Sequence, residues 1–397
     1  MKRSRTVQWL FAALHRRWYR SRSNEPVPRH RFFLSGCLLG FFFVCCAVGT
    51  KSPDVLVSSV KLYPDYEPSD LVFRPTLTDP CRYEVEMTCG LDSIQTAPPS
   101  LLEELADSLR MSVVDLPLVY LWTAEPVERT GQRDIHYLQI QPDIGLRFED
   151  RRNGNRIRFW DLSSLIQGAR TLRLSRRFQY TCYRVEYEVD SSKVGVYNQS
   201  SEFYRFYTRP ERWLEYNGAI ADTARRIVGR ETNPYLRALL LFNWLKAHGV
   251  YHYPPEKRGA TVMLQTLAGD CGQFAYLFIA LCRSVGIPAR LVAGFQTTDD
   301  LEWGYHAWAE CFIPKYGWIP ADLTEACAFG ELPNNRLVSS VGMNIPLPRA
   351  PRWANYSNSD VEGGVTDYMQ MATIVRAGLA GGRFSDISMI KAKPLAP

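Results

Sequence analysis

The sequence predicts an α+β fold in which helices and an antiparallel sheet share one core, preceded by a β-rich region. Between residues 55 and 209, short strand-like segments alternate with turn residues, which is typical of a β-sandwich. The run Phe274–Leu281 is apolar on nearly every side and indicates a buried helix. Period-2 alternation over residues 305–313, followed by the turn Pro314-Lys315-Tyr316-Gly317, predicts a β-hairpin. A chain of 397 residues is long enough for more than one domain.

The buried helix opens at Gly269-Asp270-Cys271-Gly272-Gln273. Asp270 is a favourable N-cap, which places Cys271 in the first helical turn. The free N–H groups and the positive end of the helix dipole favour a thiolate there, whereas the charge of Asp270 opposes it. Cys271 is therefore the candidate nucleophile, and it still needs a base.

An imidazole is the usual base for a cysteine nucleophile, and the chain has six histidines. Two of them lie in the basic N-terminal tail. His248 and His252 follow the end of a predicted helix, where a histidine commonly just complements the dipole. His306 lies on the alternating segment of the predicted hairpin. With the turn centred near Pro314, His306 lies directly across from Asp322, whose carboxylate can orient the imidazole.

These residues occur in motifs that resemble the transglutaminase-like superfamily. The motifs are Gly269-Asp270-Cys271-Gly272, Gly286-Ile287-Pro288-Ala289-Arg290, His306-Ala307-Trp308-Ala309-Glu310 and Gly317-Trp318-Ile319-Pro320-Ala321-Asp322. The resemblance covers about residues 213–337 and implies a papain-like α+β fold with Cys271 as nucleophile, His306 as general base and acid, and Asp322 as the orienting carboxylate. One departure is Leu323, where relatives often have proline after the aspartate.

The resemblance implies an enzyme that attacks an amide carbonyl of a peptide or protein and passes through a thioester. The backbone N–H of Cys271 is expected to meet the oxyanion, with Gln273, Tyr305 and Trp308 as further oxyanion or cleft candidates. We expect hydrolysis, as in a cysteine peptidase or amidase. A cross-linking transglutaminase and a non-catalytic peptide-binding scaffold are the alternatives.

The N-terminus predicts attachment to a membrane. Residues 1–31 hold nine basic residues and one acidic residue, and residues 32–50 carry no charge. This run is just long enough to span a bilayer, and the basic tail places the remainder of the chain outside the cytosol. We favour an uncleaved signal anchor; Ala47-Val48-Gly49 also resembles a cleavage site, which would make the run a signal peptide and the protein secreted or periplasmic.

The charge and the cysteine positions limit the classes of partner and cofactor that the sequence predicts. The net charge of +6 comes from the tail, which leaves the remaining chain slightly acidic, so no nucleic acid partner is expected. The chain has no CxxC or CxxH pair, and neither a metal nor another cofactor is expected. For Cys81 and Cys89 the sequence allows two alternatives, a disulfide between them or two free buried thiols. Four further cysteines lie in apolar surroundings and are expected to be core thiols: Cys182, Cys282, Cys311 and Cys327.

Five segments summarise the expected organisation. They are a basic cytosolic tail (1–31), a transmembrane or signal segment (32–50), a β-sandwich-like domain (55–209), a transglutaminase-like catalytic domain (213–345) and a loosely ordered C-terminal tail (346–397).

Overall fold

The computed structural model describes residues 71–394, apart from residues 111, 114–115, 117, 151, 298–302, 351–364, 371, 377–379 and 386–390. The basic tail and the apolar run over residues 32–50 lie outside the described residues. Within the described part of the chain, no helix is long and apolar enough to cross a membrane. The described residues form a mixed α/β fold.

The described part contains six α-helices and a single 3-10 turn at Ser191–Lys193. The helices are α1 (Pro99–Leu109), α2 (Glu202–Thr208), α3 (Gly218–Val228), α4 (Pro234–His248), α5 (Ala260–Thr266) and α6 (Cys271–Ser284). Side-chain caps start four of them where the sequence offers an acceptor: Ser201 at α2, Asn217 at α3, Asn233 at α4 and Asp270 at α6.

The strands fall into an N-terminal set, a central set and a C-terminal set. The first six are β1 (Thr76–Thr96), β2 (Val119–Glu125), β3 (Gln132–Gln141), β4 (Leu146–Asp150), β5 (Asn155–Asp161) and β6 (Thr171–Glu186). The central seven are β7 (Val250–Tyr251), β8 (Ala268–Gly269), β9 (Ala289–Thr297), β10 (Trp303–Ile313), β11 (Gly317–Ala321), β12 (Glu331–Leu332) and β13 (Arg336–Val341). The last five are β14 (Ile345–Pro346), β15 (Val365–Thr366), β16 (Ala372–Arg376), β17 (Ala380–Ser385) and β18 (Lys391–Pro394).

The buried helix α6 and a four-stranded antiparallel sheet form the centre of the fold. The strand order of this sheet is β11-β10-β9-β13. Residues 272–283 of α6 are all buried, as the uniformly apolar sequence predicts, and α6 shares one core with Ala309 and Cys311 of β10. Helices α3, α4 and α5 complete this core. The helix and the sheet are therefore held at a fixed distance by close packing.

The opposite face of the same sheet is also covered. Trp308 of β10 packs with Val338 of β13 and with Val185, near the end of β6. Side chains of β10 that point away from α6, such as Trp308, are consequently buried as well. The strand that carries His306 is therefore packed on both faces.

The N-terminal strands form two antiparallel sheets with a common core. The order is β12-β6-β1-β17 in one sheet, in which β3 also pairs with β6 and β18 with β1, and β16-β2-β5-β4 in the other. Leu174 and Phe178 from the first sheet pack with Leu121 and Trp160 from the second. The dipeptide Asn153-Gly154, which is typical of tight β-turns, lies in the turn of a hairpin in which Asp150 pairs with Asn155.

The described residues after position 345 are not a loose tail. Strand β16 pairs with β2, while β17 and β18 pair with different parts of β1. The expectation of a loosely ordered segment is therefore wrong for these residues. Strands this short and rich in glycine or proline give no periodic signal, and their partners lie more than 200 residues earlier in the chain.

Residues 202–207 lie in the region whose strand-like segments predict β-structure, and that prediction is wrong here because they form the helix α2. Phe203, Phe206 and Tyr207 are buried together at helical spacing. The Ser201 side chain accepts a hydrogen bond from the Tyr204 N–H at 3.0 Å, which starts the helix. A six-residue aromatic segment fits both the helical repeat of 3.6 residues and the strand repeat of two, and the cap at Ser201 selects the helix.

The hairpin of β10 and β11 forms with a register different from the predicted one. Ile313 pairs with Gly317 and Ala309 with Ala321, so β11 ends before a residue could face His306 directly. Asp322 follows the strand and approaches His306 from the loop. The turn contains Lys315 at φ 72° and Gly317 at φ 89°, a left-handed geometry that moves the pairing by two residues.

Cys81 and Cys89 cannot form a disulfide with each other. Both lie on β1, eight residues apart, and a strand of that length spans about 26 Å, far more than the roughly 7 Å between Cα atoms that a disulfide allows. Cys81 instead faces Cys182 of β6. All seven cysteines of the described residues are free thiols, and apart from Cys81 and Cys271 they are buried.

Gly294 provides a test of how closely β13 approaches the centre of the sheet. A Cβ at this position would lie 2.0 Å from the carbonyl oxygen of Leu337. We expect Gly294→Ala to lower the free energy of unfolding by about 1–3 kcal/mol, because the backbone must move apart. Gly304→Ala on β10, where nothing lies within 4 Å, is the control and should change it by less than about 0.5 kcal/mol. Equal effects in urea unfolding would contradict this explanation.

Candidate active site

The candidate nucleophile lies at the first residue of α6. Cys271 is partly exposed, whereas every following residue through Arg283 is buried. The Asp270 carboxylate caps the helix by accepting the Gln273 N–H at 3.0 Å. The first N–H groups of a helix have no partner within it. The thiol therefore lies next to free backbone hydrogen-bond donors and the positive end of the helix dipole.

His306 and Asp322 form a buried pair beside the thiol. The Nε2 atom of His306 lies 2.8 Å from Oδ2 of Asp322, and both side chains are at most 3% exposed. This contact fixes Nε2 as the donor and leaves Nδ1 as the nitrogen available to Cys271, whose thiol interacts electrostatically with the imidazole. The three residues expected to act together are thus brought together.

The electrostatics favour a charged imidazole. Burial alone would lower the pKa of His306, but Asp322 and then Cys271 outweigh it and raise the pKa to about 9. Burial would likewise raise the pKa of Asp322, and the contacts with His306 and Arg336 instead lower it to about 2. At neutral pH the pair is therefore a carboxylate and an imidazolium, the partner that a thiolate requires.

Arg336 completes the site, and the sequence analysis missed it. Its Nη2 atom donates to Oδ2 of Asp322 at 2.8 Å, and its side chain is 4% exposed. The same carboxylate oxygen therefore binds His306 from β10 and Arg336 from β13. The residue occurs in an asparagine-rich stretch without a motif, and only the pairing of β13 with β9 brings it to Asp322.

The other cleft candidates occupy different places. Gln273 is fully buried: its Oε1 accepts the Gly259 N–H at 2.8 Å and its Nε2 donates to the Lys257 carbonyl at 3.1 Å. These contacts hold a loop and do not favour the expected oxyanion role, because both polar atoms of the amide are already hydrogen-bonded to backbone groups. Trp308 is buried beneath His306, with the two rings stacked at 5.8 Å. It therefore does not line an open cleft.

Two exposed tyrosines lie on strands next to the site residues. Tyr305 is 46% exposed and precedes His306 on β10, and Tyr251 of β7 is 58% exposed. Tyr251 pairs with Gly269, two residues before the nucleophile, and interacts electrostatically with Cys271. Tyr251 is therefore a further cleft candidate, and Tyr305 stays a predicted one.

A segment near the C-terminus also reaches the site. Gln370 donates through Nε2 to the carbonyl oxygen of His306 at 2.9 Å and to that of Gly294 at 3.2 Å. Tyr368 packs against the core that includes Cys271. This segment gave no signal in the sequence, because its role depends on a return of the chain from the N-terminal sheets.

Comparison with known proteins agrees with this geometry. Residues 221–323 match the family model of the transglutaminase-like superfamily. These residues form a transglutaminase-like domain. They contain Cys271, His306 and Asp322, whereas Arg336 lies beyond the matched stretch. Among the described residues no group of three or more metal-ligating side chains occurs.

Relatives share parts of the chain. An uncharacterised protein of Haemophilus influenzae is 26% identical over 145 residues, which are 29% of this chain and 38% of that one. A protein-glutamine gamma-glutamyltransferase of Pseudomonas aeruginosa is 29% identical over 119 residues, 27% of this chain and 18% of the relative. The chain thus matches well under two thirds of either protein. A solved structure of a proposed cysteine protease from Cytophaga hutchinsonii superposes with a TM-score of 0.48 at 15% identity, over 81% of this chain and 100% of that one.

The stabilisation of the buried Asp322 carboxylate by Arg336 can be measured as a change in the free energy of unfolding. Arg336→Met leaves a buried carboxylate with one partner fewer, and we expect the free energy of unfolding to fall by about 3 kcal/mol. The control, Arg184→Met, removes an exposed pair with Glu186 on the N-terminal sheet and should cost less than about 1 kcal/mol. Urea unfolding of both variants compares them, and equal losses would exclude a special role for Arg336.

The raised pKa of His306 predicts a pH-dependent contribution to folding. Relative to His306→Gln, the wild-type protein should have extra stability that is fully present below pH 6.5, the unfolded value, and declines as pH rises through about 9. The declining limb follows because the charged imidazole is favoured only in the folded protein. A difference that stays constant from pH 6 to pH 9.5 in chemical unfolding would contradict the pairing.

Proposed function

We propose that this protein is a thiol enzyme that breaks amide bonds of peptides or proteins through a thioester on Cys271. The observation that carries the proposal is the 2.8 Å contact between His306 Nε2 and Asp322 Oδ2, which leaves the other imidazole nitrogen facing the thiol at the start of α6. A nucleophile, a base and an orienting carboxylate are then all in reach of one another.

The chemistry follows from these positions. His306 holds the proton of the thiol as an imidazolium, and the thiolate of Cys271 beside it attacks the amide carbonyl carbon to form a tetrahedral oxyanion at the N-terminus of α6. The C–N bond then breaks, and the leaving amine takes the proton from His306. Water, deprotonated by His306, attacks the thioester, releasing a carboxylic acid and restoring the thiol. Asp322 holds the imidazole throughout and stabilises its charged form.

We favour water over an amine as the group that resolves the thioester. Cys271 is partly exposed, and Tyr251, which interacts with it electrostatically, is 58% exposed. A site open to water supports hydrolysis, whereas transfer to an amine needs water excluded. The alternative, cross-linking, is supported by the glutamyltransferase from Pseudomonas aeruginosa among the relatives.

We also propose that the catalytic part lies outside the cytosol and is held at a membrane by residues 32–50. The support is the uncharged run itself and the nine basic residues that precede it. In this arrangement the substrates are extracytosolic peptides or proteins.

The catalytic proposal is tested on the full-length protein in detergent with a mixture of short synthetic peptides in water enriched in ¹⁸O. We expect one ¹⁸O atom in the new carboxyl group of each product, with or without added alkyl amine. Cys271→Ala should abolish turnover, and His306→Ala should reduce kcat/KM by about 10²–10⁴-fold, because the base is lost. His248→Ala, in an exposed histidine outside the site, is the control and should leave turnover unchanged.

Other outcomes would identify the alternatives. Products that incorporate the amine in place of ¹⁸O would show transfer. A scaffold would give no turnover, and iodoacetamide would label Cys271 only above about pH 8, with no effect of His306→Ala.

A further inference from the structure

The charge of Asp270 poses a problem for the proposed nucleophile. As an N-cap its carboxylate stabilises α6, but a negative charge on the residue preceding Cys271 disfavours a thiolate. Serine or asparagine would cap equally well without that charge. A cation near Asp270 would remove the difficulty, and the structure places one there.

Arg258 forms a two-pronged contact with this carboxylate. Its Nη2 atom lies 2.7 Å from Oδ2 of Asp270 and its Nη1 atom lies 3.3 Å from Oδ1. The Asp270 side chain is 5% exposed and that of Arg258 is 35% exposed. A Cβ at Gly272 would lie 3.2 Å from Nη1, so the guanidinium also stands against the backbone of the residue after Cys271.

The helix itself holds Arg258 in place. The residue before it, Lys257, accepts through its carbonyl oxygen a hydrogen bond from Gln273 Nε2, and the residue after it, Gly259, donates its N–H to Gln273 Oε1. Both peptide neighbours of Arg258 are thus tied to one buried side chain in the first turn of α6. This explains the buried glutamine, which the proposed reaction does not otherwise use.

We infer that Arg258 is a positioning residue of the proposed active site, whose guanidinium neutralises Asp270 so that the N-terminus of α6 and His306 act on the Cys271 thiolate unopposed. The inference rests on the proposed function, since it concerns the reactivity of the same thiol. Nothing in the motif that contains Cys271 identifies Arg258, which lies thirteen residues earlier in the chain.

Other titratable groups around the thiol do not replace this cation. The groups that interact with Cys271 from the surrounding elements are His306 with Asp322 behind it, Asp270, Tyr251 from β7 and Tyr368 from the C-terminal segment. Burial raises the pKa of both tyrosines, so they are neutral at pH 7. Besides His306, the described residues thus place a cation, Arg258, against Asp270, the residue that precedes the thiol.

The test measures the rate of iodoacetamide alkylation at Cys271 against pH, read by mass spectrometry of the full-length protein. We expect Arg258→Met to move the midpoint of the profile upward by about 0.5–1 pH unit, because the uncompensated carboxylate disfavours the thiolate. Arg258→Lys keeps the positive charge, and its midpoint should lie close to that of the wild type. Lys257→Met is the matched control: it removes the same charge from an exposed neighbour and should leave the midpoint unchanged.

Two further variants separate charge from structure. Asp270→Asn keeps a good cap and should move the midpoint downward, and combining it with Arg258→Met should return the midpoint to that of the wild type. If Arg258→Met failed to fold, the downward shift in Asp270→Asn and its absence in Lys257→Met would still decide the matter.

The outcomes distinguish this inference from the proposed function. Unchanged midpoints in Arg258→Met and Asp270→Asn, or an equal shift in Lys257→Met, would overturn the role of Arg258 while the effect of His306→Ala on labelling still supported the thiol enzyme. Labelling that does not depend on His306 would instead refute the proposed function.

Discussion

The site depends on one buried carboxylate. Asp322 receives hydrogen bonds from His306 and Arg336 on the same oxygen, at 2.8 Å each, and its side chain is almost inaccessible to water. A lone charge in such a place would be expensive, and the two cations offset that cost while fixing the orientation of the imidazole. Because the partners come from β10 and β13, on the two sides of β9, the carboxylate also joins three strands of the central sheet.

Packing supplies the precision that this electrostatic arrangement needs. Helix α6 is buried along its whole length after Cys271, and the sheet opposite is covered on both faces. A thiol at the exposed end of a fully buried helix cannot easily move relative to an imidazole on a buried strand. The reactive groups therefore stay together without a metal or a cofactor being required by the proposed reaction.

The start of α6 combines a structural and a chemical requirement. Asp270 caps the helix, Gln273 anchors the loop that precedes it, and Arg258 on that loop returns to Asp270. The negative cap and its cation form a closed local network next to the nucleophile. In this arrangement the residues that stabilise the helix also set the potential at the thiol.

The sequence by itself determined the parts that local chemistry specifies. The apolar run and the cap predicted α6 with Cys271 at its start, and alternation predicted β10 with His306. Asp322 lies within hydrogen-bond distance of His306 although the predicted register of its hairpin is wrong, since a carboxylate after the strand can reach the same imidazole. Only the tertiary structure decided the rest. Arg336, Arg258 and the C-terminal strands depend on contacts between distant segments, and such contacts leave no periodicity or spacing in the sequence from which they could be read.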